Sequence, residues 1–140
     1  MLATAMDAVL LAVQECSSVP VGAVLTTRPE KTTGSIVAKL RRERTRLSRM
    51  RDIAGCRLVV DRRVQQEAGV EELRSRHPSW EIIDRRSDPR HGYRAVHLVA
   101  TVVGRLIEVR VRTRLQQAWA DMSESLERKF PGVKYGEAPQ

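Results

Sequence analysis

Ala95-Val96-His97-Leu98-Val99-Ala100-Thr101-Val102-Val103-Gly104-Arg105-Leu106-Ile107-Glu108-Val109-Arg110-Val111-Arg112 runs β-branched on both sides of a single glycine. The pattern predicts two strands, residues 95–103 and 105–112, folding back at Gly104 as an antiparallel hairpin. Along the second strand a period of two puts Ile107, Val109 and Val111 on one face and Glu108, Arg110 and Arg112 on the other. One face is core and the other ionic. Facing water, such a face is an ordinary salt-bridge ladder of little energetic consequence; facing a ligand, it is a site. The same parity in the partner strand groups Tyr93, Ala95, His97 and Val99. Taken singly, Tyr93 and His97 are equally well explained by packing.

Working outward, residues 56–60 and 80–84 read as further strands, and 64–76 as a polar helix that stops before Pro78. Asp88-Pro89 opens a turn. Between residues 35 and 50, Ile36, Leu40, Leu47 and Met50 follow helical spacing while Arg41, Arg42, Arg44, Arg46 and Arg49 fill the other faces, a basic amphipathic helix. Residues 3–16 read as a short helix, and 17–33 as a loop broken by Pro20, Gly22 and Pro29. Leu115, Trp119, Met122 and Leu126 mark a closing amphipathic helix, and Pro131-Gly132 ends regular structure. The fold class is α/β (α+β), with a mixed β-sheet of about five strands flanked by helices.

A chain of 140 residues forms one domain with one core. No segment reaches the roughly eighteen uninterrupted apolar residues of a membrane span. The apolar-rich start lacks the basic opening and small-residue cleavage pattern of a secretory signal, which argues against export. Cys16 and Cys56 form no CxxC pair and no ligand cluster with the three histidines, which disfavours a disulfide framework and a zinc site and fits a reducing cytoplasm. The net charge of +8 is not spread evenly. Residues 28–63 hold 12 Lys and Arg against 4 Asp and Glu, and the remainder balances at 13 against 13. Such a block is either a solvated helix face or a surface that collects polyphosphate or nucleic acid. An aromatic content of 4% is low for a row of base-stacking platforms, so a phosphate site is favoured over a long groove.

Two further segments carry chemistry. In Arg51-Asp52-Ile53-Ala54-Gly55-Cys56-Arg57, Asp52 lies 56 residues before Glu108, and both acids sit beside or within β-branched runs whose strands would hold them rigidly. In Arg28-Pro29-Glu30-Lys31-Thr32-Thr33-Gly34-Ser35, Lys31, Ser35 and the amides of a following helical turn can converge on one anion, with Lys39 and Arg42 one to two turns further on. The glycine pattern and Gly-Lys-Ser/Thr order of a Walker A loop are absent. Capping of the helix by Thr33 or Ser35 accounts for the hydroxyls equally well.

Taken together, these pieces resemble the RelA/SpoT-type alarmone synthetase domain, in its order and approximate spacing. The likeness covers residues 28–136, with 1–27 as an N-terminal helix and loop and 137–140 as a tail. It rests on the basic start with Ser35-Ile36 and Lys39-Leu40, Asp52-Ile53-Ala54-Gly55 with Arg57, Gly92-Tyr93-Arg94-Ala95-Val96-His97, and Glu108-Val109 with Val111-Arg112-Thr113. Trp119-Ala120 and Lys134-Tyr135-Gly136 look like the small single-domain members.

The resemblance implies a nucleotidyltransferase-like fold and transfer of the β,γ-pyrophosphate of ATP to the 3′-hydroxyl of GDP or GTP. It implies Mg²⁺ held by Asp52 and Glu108, with Glu108 also available as proton acceptor. Arg28, Lys31, Ser35, Lys39, Arg42 and Arg57 would bind ATP. Tyr93 would stack on the acceptor base, and Arg94, His97, Arg110 and Arg112 would surround the acceptor. Departures from the family pattern are Glu30 inserted between Arg28 and Lys31, Arg110 where Gln is usual, His91 where Asn is common, and Gln117 where His is frequent. Arg110 and His91 flank the acceptor pocket, and the place of Gln117 on the closing helix suits packing as well. The alternatives are a toxin-like member that pyrophosphorylates the 3′ end of tRNA, favoured by the basic block, and a silent module that binds nucleotide or RNA. Synthesis without degradation is the expected direction, no membrane partner is expected, and oligomeric state is not legible.

Overall fold

The computed structural model describes residues 2–28, 37–38, 41–42, 54–89 and 92–132. The hairpin at Gly104 is present and lies inside the sheet. Its arms are β4 (Val96–Val102) and β5 (Arg105–Thr113), paired antiparallel with Leu98 opposite Val109 and Ala100 opposite Ile107. Val103 and Gly104 form the turn with φ of 50° and 72°, the two left-handed residues of a type I′ connection. Gly104 accepts this freely; the β-branched, 84% exposed Val103 does not. Val103→Asn is therefore expected to stabilise the protein by about 1 kcal/mol, raising Tm by a few degrees. An unchanged or lower Tm would show that the turn carries no strain.

Around this hairpin the sheet order is β1-β2-β5-β4-β3, with β1 (Val24–Arg28), β2 (Ala54–Val60) and β3 (Glu81–Asp84). Strand β5 pairs in parallel with β2, while β1–β2 and β3–β4 are antiparallel, so the sheet is mixed as expected. The expected loop over 17–33 is corrected: it contains β1. Its Val-Leu-Thr-Thr composition suits an edge strand, but the flanking Pro20, Gly22 and Pro29 mask the signal, and only pairing with β2 reveals it.

The core side of the sheet carries Cys56, Leu58, Leu98, Ile107, Val109 and Val111, all at most 2% exposed. Helix α1 (Leu2–Gln14) covers it with Ala5, Val9 and Val13, spaced one turn apart, and α2 (Arg63–Arg76) with Val70 and Leu73. Each such Val or Leu contributes about 1.5–3 kcal/mol on burial. Helix α1 thus shares one core with the sheet, and β1 spans the expected division at residues 27–28. The loop after α1 is pinned to α2 at Glu72, whose Oε1 accepts from Ser17 Oγ (2.7 Å), Ser18 N (3.1 Å) and Ser18 Oγ (3.0 Å). These bonds, the one from Ser17 foremost, hold its carboxyl down at about 2.

Helix α3 (Arg114–Lys129) starts at a reciprocal cap: Gln116 N donates to Thr113 Oγ1, and Thr113 N to Gln116 Oε1. Its apolar stripe is not its buried face. Ala120 is the buried residue of the helix, whereas Leu115 is 80% and Met122 45% exposed. Of the expected basic helix, residues 37–38 and 41–42 are helical and exposed; the remainder lies outside the described residues. Among the described residues no helix is long and apolar enough to cross a membrane.

Candidate active site

Strand register turns the ionic side of the sheet into ordered rows. Arg28, Gly55, Glu108, Val99 and Glu81 occupy successive partner positions across the five strands, and Thr26, Arg57, Arg110, His97 and Ile83 form the next row. Glu108 thus stands on the central strand between Gly55 and Val99. Neither neighbour carries a charge, so its charged contacts come from the next row.

This face is not a solvated ladder. Glu108 is 6% and Arg112 3% exposed, despite being ionic side chains on the outward parity of β5. Charges this buried need partners. Arg110 Nε donates to Glu108 Oε1 at 2.5 Å, and His97 Nδ1 stands 3.8 Å from Glu108 Oε2.

The other members form a connected cluster. Arg112 donates to the Tyr93 hydroxyl and, at 2.9 Å, to Gln117 Oε1, while its guanidinium carbon lies 4.9 Å from the Tyr93 ring centroid. The Tyr93 hydroxyl and His97 Nε2 are 2.8 Å apart. A guanidinium only donates, so the tyrosine oxygen accepts from Arg112, and in the His97 tautomer protonated on Nδ1 the tyrosine proton goes to Nε2. That tautomer turns the Nδ1 proton to Glu108.

Burial drives His97 down to about 4, with Arg110, Arg112 and Arg85 adding to the shift and Glu108 opposing it. It is therefore neutral at pH 7. Because its folded value lies below the ordinary 6.5, the unfolded chain binds more protons between pH 6.5 and 4, and stability falls as pH falls through that window. The expected loss is up to about 3 kcal/mol. Denaturant unfolding of wild type and His97→Gln from pH 7 to 4 checks this, with a visibly shallower decline in the variant. Parallel declines would assign the acid sensitivity to other groups.

Two guanidinium donors on this face, Arg57 Nε and Arg112 Nε, are buried and have no hydrogen-bond acceptor among the described residues. An unpaired buried donor costs about 1–3 kcal/mol, so each of the two calls for an acceptor.

Of the expected site residues, the structure brings Arg57, Tyr93, His97, Glu108, Arg110 and Arg112 onto one face. Arg94 is not among them: it is exposed and lines a cavity beside α3. Arg42 is exposed and helical. Arg28 joins the site's first row through its backbone. Asp52, Lys31, Ser35, Lys39, His91 and the segment 134–136 lie outside the described residues.

Gln117 is the contact that sequence reasoning passed over. It takes Arg112 on its Oε1 and donates to Asp121 from its Nε2 at 2.8 Å, which fixes the arginine against Tyr93. Its one sequence signal is its departure from the family's frequent His.

Mg²⁺ is commonly held by one or two carboxylates together with substrate phosphates. Glu108 supplies one hard oxygen, since Oε1 is engaged by Arg110. No group of three or more potential ligands occurs among the described residues. Such a metal would take this one oxygen from the described residues and would need a second acid and substrate for the rest.

The architecture and this face define an α+β domain built around a buried carboxylate in an arginine-rich sheet face. The model of a region found in RelA/SpoT proteins matches residues 28–131, and the chain belongs to that family. Uncharacterised proteins of Mycobacterium bovis and Mycobacterium tuberculosis are 32% identical over 122 residues, which is 84% of this chain and 45% of theirs. The chain thus spans about half the length of these relatives. The small alarmone synthetase 1 of Bacillus subtilis superimposes with a TM-score of 0.71 at 25% identity, covering 94% of this chain and 77% of that one. The Type VI effector Tas1, solved with its immunity protein, gives 0.67 at 14% identity over 99% and 83%. The fold is that of the small alarmone synthetases.

Proposed function

We propose that this domain transfers the β,γ-pyrophosphate of ATP to the 3′-hydroxyl of GDP or GTP. The observation that carries the reading is the buried Glu108 carboxylate set among guanidinium groups, two of which hold buried donors without acceptors among the described residues. In this reaction the 3′-oxygen bonds to the β-phosphorus, the bond from that phosphorus to the α,β-bridging oxygen breaks, and AMP leaves. The hydroxyl proton needs an acceptor within hydrogen-bond reach, and Glu108 is the described carboxylate placed for it. Arg57 and Arg110 flank it along the next row and stabilise charge on the transferring group. Bound Mg²⁺, held by Glu108 with Asp52, would offset the charge of the triphosphate.

Tyr93 offers its ring to the acceptor base, held in orientation by Arg112 and His97. Lys31, Ser35, Lys39 and Arg28 are assigned to ATP on the strength of the family motif. The small alarmone synthetase 1 of Bacillus subtilis has been solved bound to AMPCPP and to its product pppGpp, which supports nucleotides as donor and acceptor. The concentrated positive charge of residues 28–63 favours a second acceptor, the 3′ end of tRNA, because a large cationic surface gains from counterion release.

Incubation with Mg²⁺ and γ-labelled ATP, offering GDP, GTP or deacylated tRNA in parallel, tests both. Label in the guanine nucleotides is expected. Label in tRNA alone selects the second acceptor, and label in none removes the transfer reaction.

A further inference from the structure

Among the described residues, the buried Arg112 has only neutral acceptors: Gln117 Oε1 at 2.9 Å and the Tyr93 hydroxyl. Buried charges are ordinarily paired with an opposite charge. Here the carboxylate stands one residue further out. Gln117 Nε2 donates at 2.8 Å to Oδ1 of Asp121, four residues along α3, the spacing that brings two side chains of a helix within reach.

An amide has an acceptor at one end and donors at the other, and it can be turned end for end. Its two neighbours decide which way it lies. A guanidinium only donates and an ionised carboxylate only accepts, so one orientation satisfies both contacts. The reverse satisfies neither, because it sets Nε2 against the guanidinium and Oε1 against the carboxylate. Asp121 thus fixes the far end of the amide, and the oxygen offered to Arg112 is in place before any substrate arrives. Arg112 in turn donates to the Tyr93 hydroxyl, with its guanidinium carbon 4.9 Å from the ring centroid.

The helix that carries the pair is itself anchored. Gln116, beside Gln117, accepts at 2.8 Å from Nε2 of the fully buried Gln66 on α2, and the same Nε2 donates to the Val111 carbonyl at 2.9 Å. A site residue on a rigid element is held more precisely than one on a loop. Asp121 is exposed, so what it contributes comes from its hydrogen bond and charge and not from core packing.

We propose that Asp121 is a positioning residue for the acceptor pocket, acting through Gln117 to hold Arg112 against Tyr93. The inference rests on the reading of Tyr93 as the platform for the acceptor base. It adds to that reading a residue outside the segments that carry the family likeness.

The test compares wild type, Asp121→Lys and the double variant Gln117→Glu/Asp121→Lys. Lysine only donates, so in the single variant it competes for Gln117 Oε1 and turns Nε2 toward Arg112. The second substitution puts a carboxylate between the two cations, where it accepts from both, and an acid four residues before a lysine favours the helix. Position 121 is exposed and helical, so both variants are expected to fold, with a Tm near that of wild type as the check. Guanidinium NMR of arginine-labelled protein, with Arg112 assigned through its side-chain carbons, reads the arginine without turnover. Separate Nη signals are expected in wild type, averaged ones in Asp121→Lys, and separate ones again in the double variant. In the transfer assay the KM for GDP is expected to rise about tenfold in Asp121→Lys, the scale of one lost hydrogen bond to a charged group. The KM for ATP should not move, and the double variant should bring the KM for GDP back toward wild type. An added cation acting by charge alone would attract the anionic acceptor and lower that KM. Unchanged Arg112 signals in the folded single variant overturn the proposal, as does a rise in KM that the double variant leaves in place. If wild type labels no acceptor, the transfer reading falls, and the guanidinium signals alone decide whether Asp121 positions Arg112.

Discussion

Glu108→Gln is expected to lower the pyrophosphate-transfer rate by at least about a hundredfold, the scale of a lost general acid–base group, while leaving the fold and ATP binding nearly intact. The amide keeps an oxygen for Arg110 Nε and nearly the same volume in a site where the side chain is 7% exposed. Glutamine cannot accept the hydroxyl proton at neutral pH, and it is a poorer ligand for a hard cation. The loss should therefore fall on kcat, with little change in the KM for ATP. Full activity in this variant would take Glu108 out of the chemistry and leave the arginine face as a binding surface. Thermal unfolding of the variant separates the two explanations of a lost rate, since a chemical role predicts a nearly unchanged Tm.

Gly92→Ala should have the largest effect of any single methyl addition near the site. The residue has φ of +80°, and the new Cβ would lie 2.8 Å from the Trp119 ring. Backbone strain and ring displacement together are expected to cost about 2–4 kcal/mol. Because Tyr93 follows directly, its ring would shift relative to Arg112 and His97, raising the KM for the acceptor more than that for ATP. Gly104→Ala is the matching control: φ is +72° and nothing lies within 4 Å of the added atom. It meets only the backbone penalty, so the difference between the two variants measures the Trp119 contact. Equal losses would mean that Trp119 yields freely and does not hold the Gly92–Tyr93 segment in place.

The cluster around Tyr93 also bears on acceptor choice. In the family pattern the position of Arg110 is usually Gln, and here the arginine takes one oxygen of Glu108. A permanent cation now stands beside the carboxylate that the proposed chemistry uses. Under the proposed function, discrimination among GDP, GTP and tRNA would fall to Arg110, Tyr93 and Gln117, two of which depart from the family pattern.

Local pattern by itself determined the hairpin at Gly104, the alternation along residues 105–112 and the helix ends at Pro78 and Pro131. Each depends on residues close in the chain, where strand parity, turn chemistry and proline's missing donor act directly. The family motifs likewise singled out Glu108, Tyr93 and His97. What the alternation left open was whether Glu108, Arg110 and Arg112 met water or protein. Only the assembled sheet decided it, because the burial of Glu108 and Arg112 depends on neighbours such as Gly55, Val99 and Tyr93 that arrive from distant segments. The same holds for β1, which is a strand because β2 offers it an edge, and for Arg94, which the chain places beside Tyr93 and the fold turns away from it. The stripe Leu115, Trp119 and Met122 shows the limit most clearly. Its spacing announces a helix face but not what the face meets, and in the folded protein it borders a cavity. Periodicity records which residues share a side; long-range packing assigns that side to core, ligand or solvent.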